Sequence, residues 1–461
     1  MNLRHRISKK ILLILTGDLF VFYAALYGSL IIRYGSNLTL GIRDKHFISF
    51  SIIFVLWLII FGACGFYDLR LMKNEKIFLY RLLRVMMINT VAAITVFYLF
   101  PFQIEPRRNL FIIAALAAIG IFIWRYVFNL LIIRTAITRI IFLGYNKEIK
   151  ELAEFLLVHP QLGYKPAAFI SSYYEQTLLP TGIKHYPLLA HENLMHDIRS
   201  ERADMVIIAP EMKGYQPAVS VLLTIIPSGI MVAEFPAFHE ALTGKIPLSL
   251  ISELWFLENL IGMKKRSYEF IKRLLDIIIS IPLGIITLIF LPFIALAIKL
   301  DSPGPIFFHQ ERVGKHGKPF TLIKFRSMVR DAEQVSGIKT HGQKYDPRQT
   351  RIGSMMRKTY LDELPQITNI LRGEMSFIGP RPERPHYVKD LKQKISFYET
   401  RLLVPPGITG WAQVNMENDA SVEDAPEKMQ YDLYYIKNRT CILDLLIALR
   451  TFSAIVRRQG R

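Results

Sequence analysis

Leu274 to Ile298 reads LLDIIISIPLGIITLIFLPFIALAI, and how it meets a bilayer decides on which side the rest of the chain lies. Some ~25 residues at ~1.5 Å each would cross a hydrocarbon core of ~30 Å. Both flanks, however, are basic. Lys264, Lys265, Arg266, Lys272 and Arg273 precede the run, and Lys299, Arg312, Lys315, Lys318 and Lys324 follow it. Cations gather on the cytoplasmic side of membrane segments, so a full crossing would leave one basic flank outside. Pro282, Gly284 and Pro292 interrupt the run, and an internal proline removes a bond from the helical ladder. These features predict a kinked helix over 268–299 that dips into the inner leaflet and returns. The alternative is a fifth true span, with the remainder of the chain outside.

Upstream, four more apolar segments fall at roughly 11–31, 48–67, 85–103 and 109–131. Each approaches the ~20 residues a spanning helix needs. The first is too long for a signal-peptide core and lacks a clear cleavage site, so it is read as retained. The stretch 68–84 holds Arg70, Lys73, Lys76, Arg81 and Arg84, and Arg134 and Arg139 follow the fourth segment. The linkers at 32–47 and 104–108 are poorer in cations. Both ends of this group are therefore expected in the cytoplasm. Asp18, inside the first segment, is either a functional acid or half of a helix–helix hydrogen bond, the second being the better fit.

The composition agrees. Among 461 residues 51% are hydrophobic and the net charge is +19. A basic surface suits nucleic acid or an anionic membrane; the apolar segments, and the lack of any nucleic-acid motif, choose the membrane. Cys64 and Cys441 lie far apart and imply neither a disulfide framework nor a cysteine metal site. His309, His341 and His386 show no metal spacing.

Residues 136–262 change character. Arg139–Gly144, Ala167–Ser171, Asp204–Ala209 and Gly229–Glu234 read as strands, with a helix from Glu148 to Val158. This alternation predicts a small parallel α/β domain of Rossmann type. Its first turn, Gly144-Tyr145-Asn146-Lys147-Glu148, lacks the further glycines that let a backbone approach a pyrophosphate. A scaffold or regulatory role is expected in place of nucleotide binding.

In the last part, 263–461, short strands are expected at Ile306–Phe308 and Phe320–Phe325, with Gln310–Gly314 as a polar turn between them. Arg450, Arg457, Arg458 and Arg461 flank apolar residues near the end, a pattern suited to a helix lying on an anionic membrane. Asp362 and Glu363 are an adjacent acidic pair set among Arg357, Lys358, Arg372, Arg381 and Arg384. Such a set suits a phosphate ester held by a metal. One carboxylate can bind Mg²⁺, the other can attack phosphorus, and arginines can fork onto phosphate oxygens. The plainer reading makes Asp362 an N-cap, Glu363–Arg372 a short helix and Gly373 its stop.

From Lys272 onward the chain resembles the bacterial sugar transferase family, the polyprenyl-phosphate hexose-1-phosphate transferases. The resemblance rests on Lys272-Arg273 with Asp276, Asp301-Ser302-Pro303-Gly304-Pro305, Gln310–Gly314, and Lys324-Phe325-Arg326-Ser327-Met328. It continues through Leu361-Asp362-Glu363-Leu364-Pro365-Gln366, Phe377–Pro382 and Pro406–Asn415. The whole chain is similar to the long form: a four-helix transmembrane bundle at 1–135, a Rossmann-like parallel α/β domain at 136–262, and an α+β catalytic domain with a re-entrant helix. Many members place Ser-Pro at the helix break; here Ile281-Pro282 and Leu291-Pro292 stand there, which leaves the break position open.

The resemblance implies transfer of a hexose-1-phosphate from a UDP-sugar to undecaprenyl phosphate, releasing UMP and beginning a polysaccharide such as an exopolysaccharide, capsule or O-antigen. Glucose or galactose are the expected sugars. It implies Asp362 as nucleophile in a phosphosugar-enzyme intermediate, Glu363 on Mg²⁺, and Lys324, Arg326, Arg357 and Arg381 as phosphate-binding cations. Lys272, Arg273, Arg312 and Gln413 are further substrate-binding candidates, although Lys272 and Arg273 also read as snorkelling cations at a helix end. Asp276 is expected to pair with Arg273. The implied location is the bacterial inner membrane, with the soluble domains on its cytoplasmic face. The oligomeric state stays open, a homodimer among the options. Two other functions fit four helices joined to a Rossmann-type domain less well. A membrane-anchored nucleotide-sugar dehydratase would need an intact glycine fingerprint beside a Tyr-x-x-x-Lys pair. A non-catalytic polysaccharide-export scaffold would be expected to have lost the acidic pair or its arginines, and all are present.

Overall fold

The computed structural model describes residues 3–72, 76–100, 107–135, 137–171, 180, 182–188, 191–256, 258–259, 265–329, 348–416 and 424–456. The chain divides into two compact units, Met1–Thr243 and Gly244–Arg461.

The first unit opens with four long helices, α1 (Leu3–Tyr34), α2 (Leu40–Ala63), α3 (Lys76–Leu99) and α4 (Arg107–Thr135). Each is long and apolar enough to cross a membrane. Their shared core is aromatic: Phe22, Phe54, Trp57 and Phe61 are fully buried, with ring centroids 5.2–5.6 Å from Phe22. Asp18 meets Arg125 of α4 at 2.5 Å, both buried, so the acid of the first segment joins two helices. A second polar link, Asn109 to His46 at 2.8 Å, joins α4 to α2. Of the cations placed in a linker at 68–84, Lys76, Arg81 and Arg84 belong to α3, Arg70 is gripped by Asp68, and Lys73 lies outside the described residues.

The same unit continues as β1 (Thr138–Leu143), α5 (Lys147–Val158), β2 (Tyr164–Ser171), β3 (Lys184–Pro187), α6 (His191–Ser200), β4 (Met205–Ile208), α7 (Gln216–Ile225), β5 (Met231–Glu234) and α8 (Phe235–Thr243). The strands form one parallel sheet in the order β3-β2-β1-β4-β5. Continuous apolar runs such as Ile140-Ile141-Phe142-Leu143, all buried, suit strands covered on both faces. The edge strand β3 (Lys-His-Tyr-Pro) carries no such run and was not predicted.

The second unit begins at Gly244, earlier than the 262/263 boundary read from the sequence. Ile246, Ile251 and Phe256, the last in α9 (Glu253–Phe256), pack into a core with Val388, Leu391, Tyr398, Met429 and Leu433. Then comes α10 (Arg266–Asp301), one continuous helix of 36 residues through Pro282 and Pro292. Those prolines, expected to interrupt it, each remove one bond from a long ladder without ending the helix. Only 6% of its most apolar window is buried in the protein, against 28–44% for α1–α4.

Next, β6 (Phe307–Val313) and β7 (Pro319–Phe325) form an antiparallel hairpin. Gln310–Val313, expected as a turn, is strand, and the chain reverses at Gly314–Lys318 instead. After α11 (Arg351–Lys358) a 3-10 turn, Leu361–Gln366, leads into α12 (Ile367–Arg372), which stops at Gly373 with φ 82°. The remainder is β8 (Ser376–Ile378), α13 (Pro385–Lys394), a 3-10 turn at Tyr398–Leu403, β9 (Gly407–Thr409), α14 (Trp411–Asn415), α15 (Ala425–Asn438) and α16 (Cys441–Val456); β8 and β9 pair in parallel. Arg457, Arg458, Arg461, His341 and Lys264 lie outside the described residues.

Candidate active site

Asp362 and Glu363 sit in the 3-10 turn, not at a helix cap. The residue that starts the turn is Tyr360, whose φ of 59° is left-handed, an uncommon and costly conformation for a non-glycine residue. That bend directs two adjacent carboxylates inward, where Asp362 is 8% and Glu363 6% exposed. The turn packs on β7, and Asn369 of α12 stitches the two together. Its amide donates to the Thr321 carbonyl at 2.8 Å and its oxygen accepts from the Ile323 amide at 3.3 Å. This brings Lys324, at the end of β7, to Glu363.

Lys324 Nζ donates to Glu363 Oε1 at 2.6 Å, and Arg381 Nη2 donates to the same oxygen at 3.3 Å. The other oxygen, Oε2, is buried with no hydrogen-bond partner among the described residues. Burial would raise the Glu363 carboxyl, but Lys324 and Arg381 outweigh it and hold the group well below the usual carboxylate range. Asp362 moves the other way. Burial lifts it, Lys324 opposes the lift, and the charge of Glu363 adds to it, while Arg357 and Arg381 also pull downward. Adjacent carboxyls pushed apart in this way take different roles. Glu363 is a fixed anion, and Asp362 is the more basic carboxylate of the two.

An orphaned, buried, ionised carboxylate oxygen is what a hard cation takes as a ligand. Mg²⁺ commonly uses one or two protein carboxylates and completes its shell with water and substrate phosphate. Glu363 Oε2 therefore fits Mg²⁺. No cluster of three or more His, Cys, Asp or Glu that could cage a metal exists among the described residues.

The other sequence candidates have partners within the fold. Arg326, expected on phosphate, is a clasp at the end of α10: it donates to the carbonyls of Ser302 at 2.6 Å and Pro303 at 3.0 Å and to Ser302 Oγ at 3.0 Å. Arg273 donates to the carbonyls of Ile370 and Leu371 at 2.5 and 2.8 Å, closing the last turn of α12. Lys272 pairs with Asp444 at 2.8 Å, both side chains 13% exposed. Gln413 of α14 donates to the Ile408 carbonyl of β9 at 2.8 Å. Asp276, expected beside Arg273, accepts instead from Ser376 Oγ at 3.1 Å and the Phe377 amide at 3.2 Å, and so holds β8. Arg312 donates to Gln310 and to the Pro382 carbonyl, behind the loop that bears Arg381. Asn369, Arg401 and Asp432 were given no role from the sequence, because no local pattern marks a residue whose partners are far along the chain.

Among the described residues the α/β sheet offers no matching cradle at its first turn. Gly144 has φ 104°, and a Cβ there would lie 2.4 Å from the Ala209 Cβ, so the glycine serves close packing of β1 against the end of β4. Asn146, which caps α5, donates its amide to Glu211 at 3.3 Å. A carboxylate thus stands where a helix N-terminus would receive phosphate.

Comparison with known proteins places the second unit among sugar transferases. Residues 267–458 match the family model described as bacterial sugar transferase. Over 242 residues the chain is 41% identical to a UDP-N-acetylgalactosamine-undecaprenyl-phosphate N-acetylgalactosaminephosphotransferase of Aeromonas hydrophila, covering 49% of this chain and 53% of the relative. It is 40% identical over 192 residues to a UDP-glucose:undecaprenyl-phosphate glucose-1-phosphate transferase of Escherichia coli, covering 41% of each. These matches span about half the relatives' length or less. The exopolysaccharide production protein PSS of Rhizobium leguminosarum is 40% identical over 198 residues, which make up 98% of that relative.

Proposed function

The chain belongs to the bacterial sugar transferase family, and on that premise we propose that it is a phosphoglycosyl transferase acting at the cytoplasmic face of a bacterial inner membrane. The reaction moves a hexose-1-phosphate from a UDP-sugar to undecaprenyl phosphate, giving undecaprenyl-diphosphate-sugar and UMP. UDP-glucose and UDP-galactose are the first donors to test. The Aeromonas relative's name adds UDP-N-acetylgalactosamine. The observation that carries the reading is the split pair: Glu363 locked as an anion between Lys324 and Arg381, with Asp362 beside it as the more basic carboxylate.

In this reading an Asp362 oxygen attacks the sugar-bearing phosphorus. The bond from that phosphorus to the bridging oxygen breaks, and UMP leaves with the bridging oxygen. A phosphate oxygen of the lipid then attacks the aspartyl-linked phosphorus, and the Asp362 carboxylate departs. Two anions must meet in each step, and the cations reduce that repulsion. Arg381 and Lys324 fix Glu363 and place positive charge beside the nucleophile, and Arg357 adds to it. Bound Mg²⁺, held by Glu363 Oε2, would neutralise phosphate charge. The exposed apolar face of α10 would lie in lipid, dipping into the inner leaflet, and hold the site at the depth of the lipid phosphate.

The experiment is Asp362→Asn, assayed by UMP release and by trapping of labelled sugar phosphate on the protein. Loss of both, in a folded protein, supports the reading. Retained turnover would remove Asp362 from the nucleophile's role.

A further inference from the structure

Arg381 reaches Glu363 from the loop between β8 and α13, and that loop is held from behind by three cations on three other elements. Arg401, in the 3-10 turn at Tyr398–Leu403, donates Nη2 to the Arg381 carbonyl at 3.0 Å and Nη1 to Tyr398 Oη at 2.6 Å. Arg312 of β6 donates to the next carbonyl, that of Pro382, at 2.8 Å. Lys428 of α15 meets the Glu383 carboxylate at 2.6 Å. Asp432, one turn along α15, lies 2.8 Å from Arg401 Nε. Arg401 is 6% exposed and Asp432 1%.

Burying ion pairs is a poor way to gain stability, since apolar residues of similar volume often serve as well or better. Such a set does fix geometry. A guanidinium presents its donors in a rigid planar fork, so Arg401 donates to a phenol oxygen and a backbone carbonyl in one orientation while its Nε edge faces the Asp432 carboxylate as a charge pair. We infer that Arg401, oriented by Asp432, is a positioning residue that sets where the Arg381 guanidinium stands relative to Glu363. The inference rests on the proposed transfer reaction and deepens it. Arg401 touches no reacting group and acts through the backbone of Arg381. A lysine at 401 would keep the charge opposite Asp432 but lose the fork, and the loop would then hold Arg381 less tightly.

The test uses the full chain in lipid nanodiscs, with UMP release from the donor that wild type turns over. Three variants are compared: Arg401→Lys, Arg381→Lys and the double. Arg401→Lys is expected to lower kcat by about 10- to 100-fold, the effect of a small misplacement, with KM for the UDP-sugar nearly unchanged. The double variant is expected within about 2-fold of Arg381→Lys alone, as for residues acting as one unit. A kcat per folded molecule equal to wild type in Arg401→Lys, or losses that multiply in the double, overturns the inference. If Arg401→Lys does not fold, Asp432→Asn, which removes the charge that orients Arg401, enters the same cycle with the same criteria. Wild-type turnover with multiplying losses sinks this inference alone. Absence of UMP from every donor sinks the transfer reaction and this inference together.

Discussion

Two regions of this molecule could have received a phosphate, and they are built in opposite ways. The α/β sheet has the strand order of dinucleotide-binding domains, with a glycine turn and a capped helix after β1. Yet Ala209 closes against Gly144, and Glu211 stands at the helix start. The region around the Leu361–Gln366 turn has no recognisable nucleotide topology. It gathers Lys324, Arg381 and Arg357 around two buried carboxylates and leaves one carboxylate oxygen without a hydrogen-bond partner among the described residues. The difference shows that a strand order does not by itself make a phosphate site, and that function must be read from side chains.

The largest effect that would sharpen this contrast is Asp362→Asn. A loss on the order of 10⁴-fold or more in UMP release is expected, as for removal of a nucleophile, with an unchanged unfolding profile. Glu363→Gln comes next. It removes the fixed anion and the proposed Mg²⁺ ligand, and a loss of about 10²- to 10³-fold is expected, comparable to deleting one electrostatic contact in an active site. A titration of activity against Mg²⁺ should show a higher requirement in that variant; an unshifted requirement would place the metal elsewhere.

Stability provides the third effect. Burial would raise Glu383, but Lys428 and Arg401 outweigh it and hold the carboxyl down to about 2, against an ordinary value of 4.5. A lowered carboxyl stabilises the fold above its unfolded-state value, and that contribution fades as pH falls from about 4.5 toward about 2. Up to about 3 kcal/mol is at stake. Denaturant unfolding of Glu383→Gln should therefore lose this acid dependence and converge with wild type at the low end. The fourth concerns the domain edge. A fragment starting at Gly244 should unfold cooperatively, whereas one starting at 263 lacks Ile246, Ile251 and Phe256 and should be less stable. Each buried apolar side chain removed costs about 2–5 kcal/mol. Equal melting of the two fragments would show that this segment is dispensable.

The smallest effect belongs to the closed region. Glu211→Gln should change turnover by less than about 2-fold, as surface substitutions away from a site usually do. A large change in UDP-sugar KM would break the contrast by making the α/β domain a substrate site.

Much of this was legible in the sequence because it is local or periodic. Apolar runs located α1–α4 and α10, and blocks such as Ile140–Leu143 and Met205–Ile208 located the sheet. The acidic pair, with Lys324 and Arg381, was found by residue type and motif. Other parts were not legible because they depend on contacts distant in the chain. Arg326, Arg273 and Lys272 look like phosphate ligands in one dimension, yet each meets a partner tens of residues away or more: Ser302, Ile370 and Asp444. Gln310–Val313 looks like a turn because it is polar, but pairing with β7 makes it strand. Ile246 and Phe256 carry no motif, and only their packing against Leu391 and Leu433 assigns them to the second unit.

The most direct measurement is UMP release by the full chain from UDP-glucose, UDP-galactose and UDP-N-acetylgalactosamine, with and without undecaprenyl phosphate, in Mg²⁺ and in EDTA. Steady UMP production from one donor, dependent on both lipid and Mg²⁺ and absent in Asp362→Asn, is the result expected. No UMP from any donor with folded protein, or turnover that survives in Asp362→Asn, would contradict it.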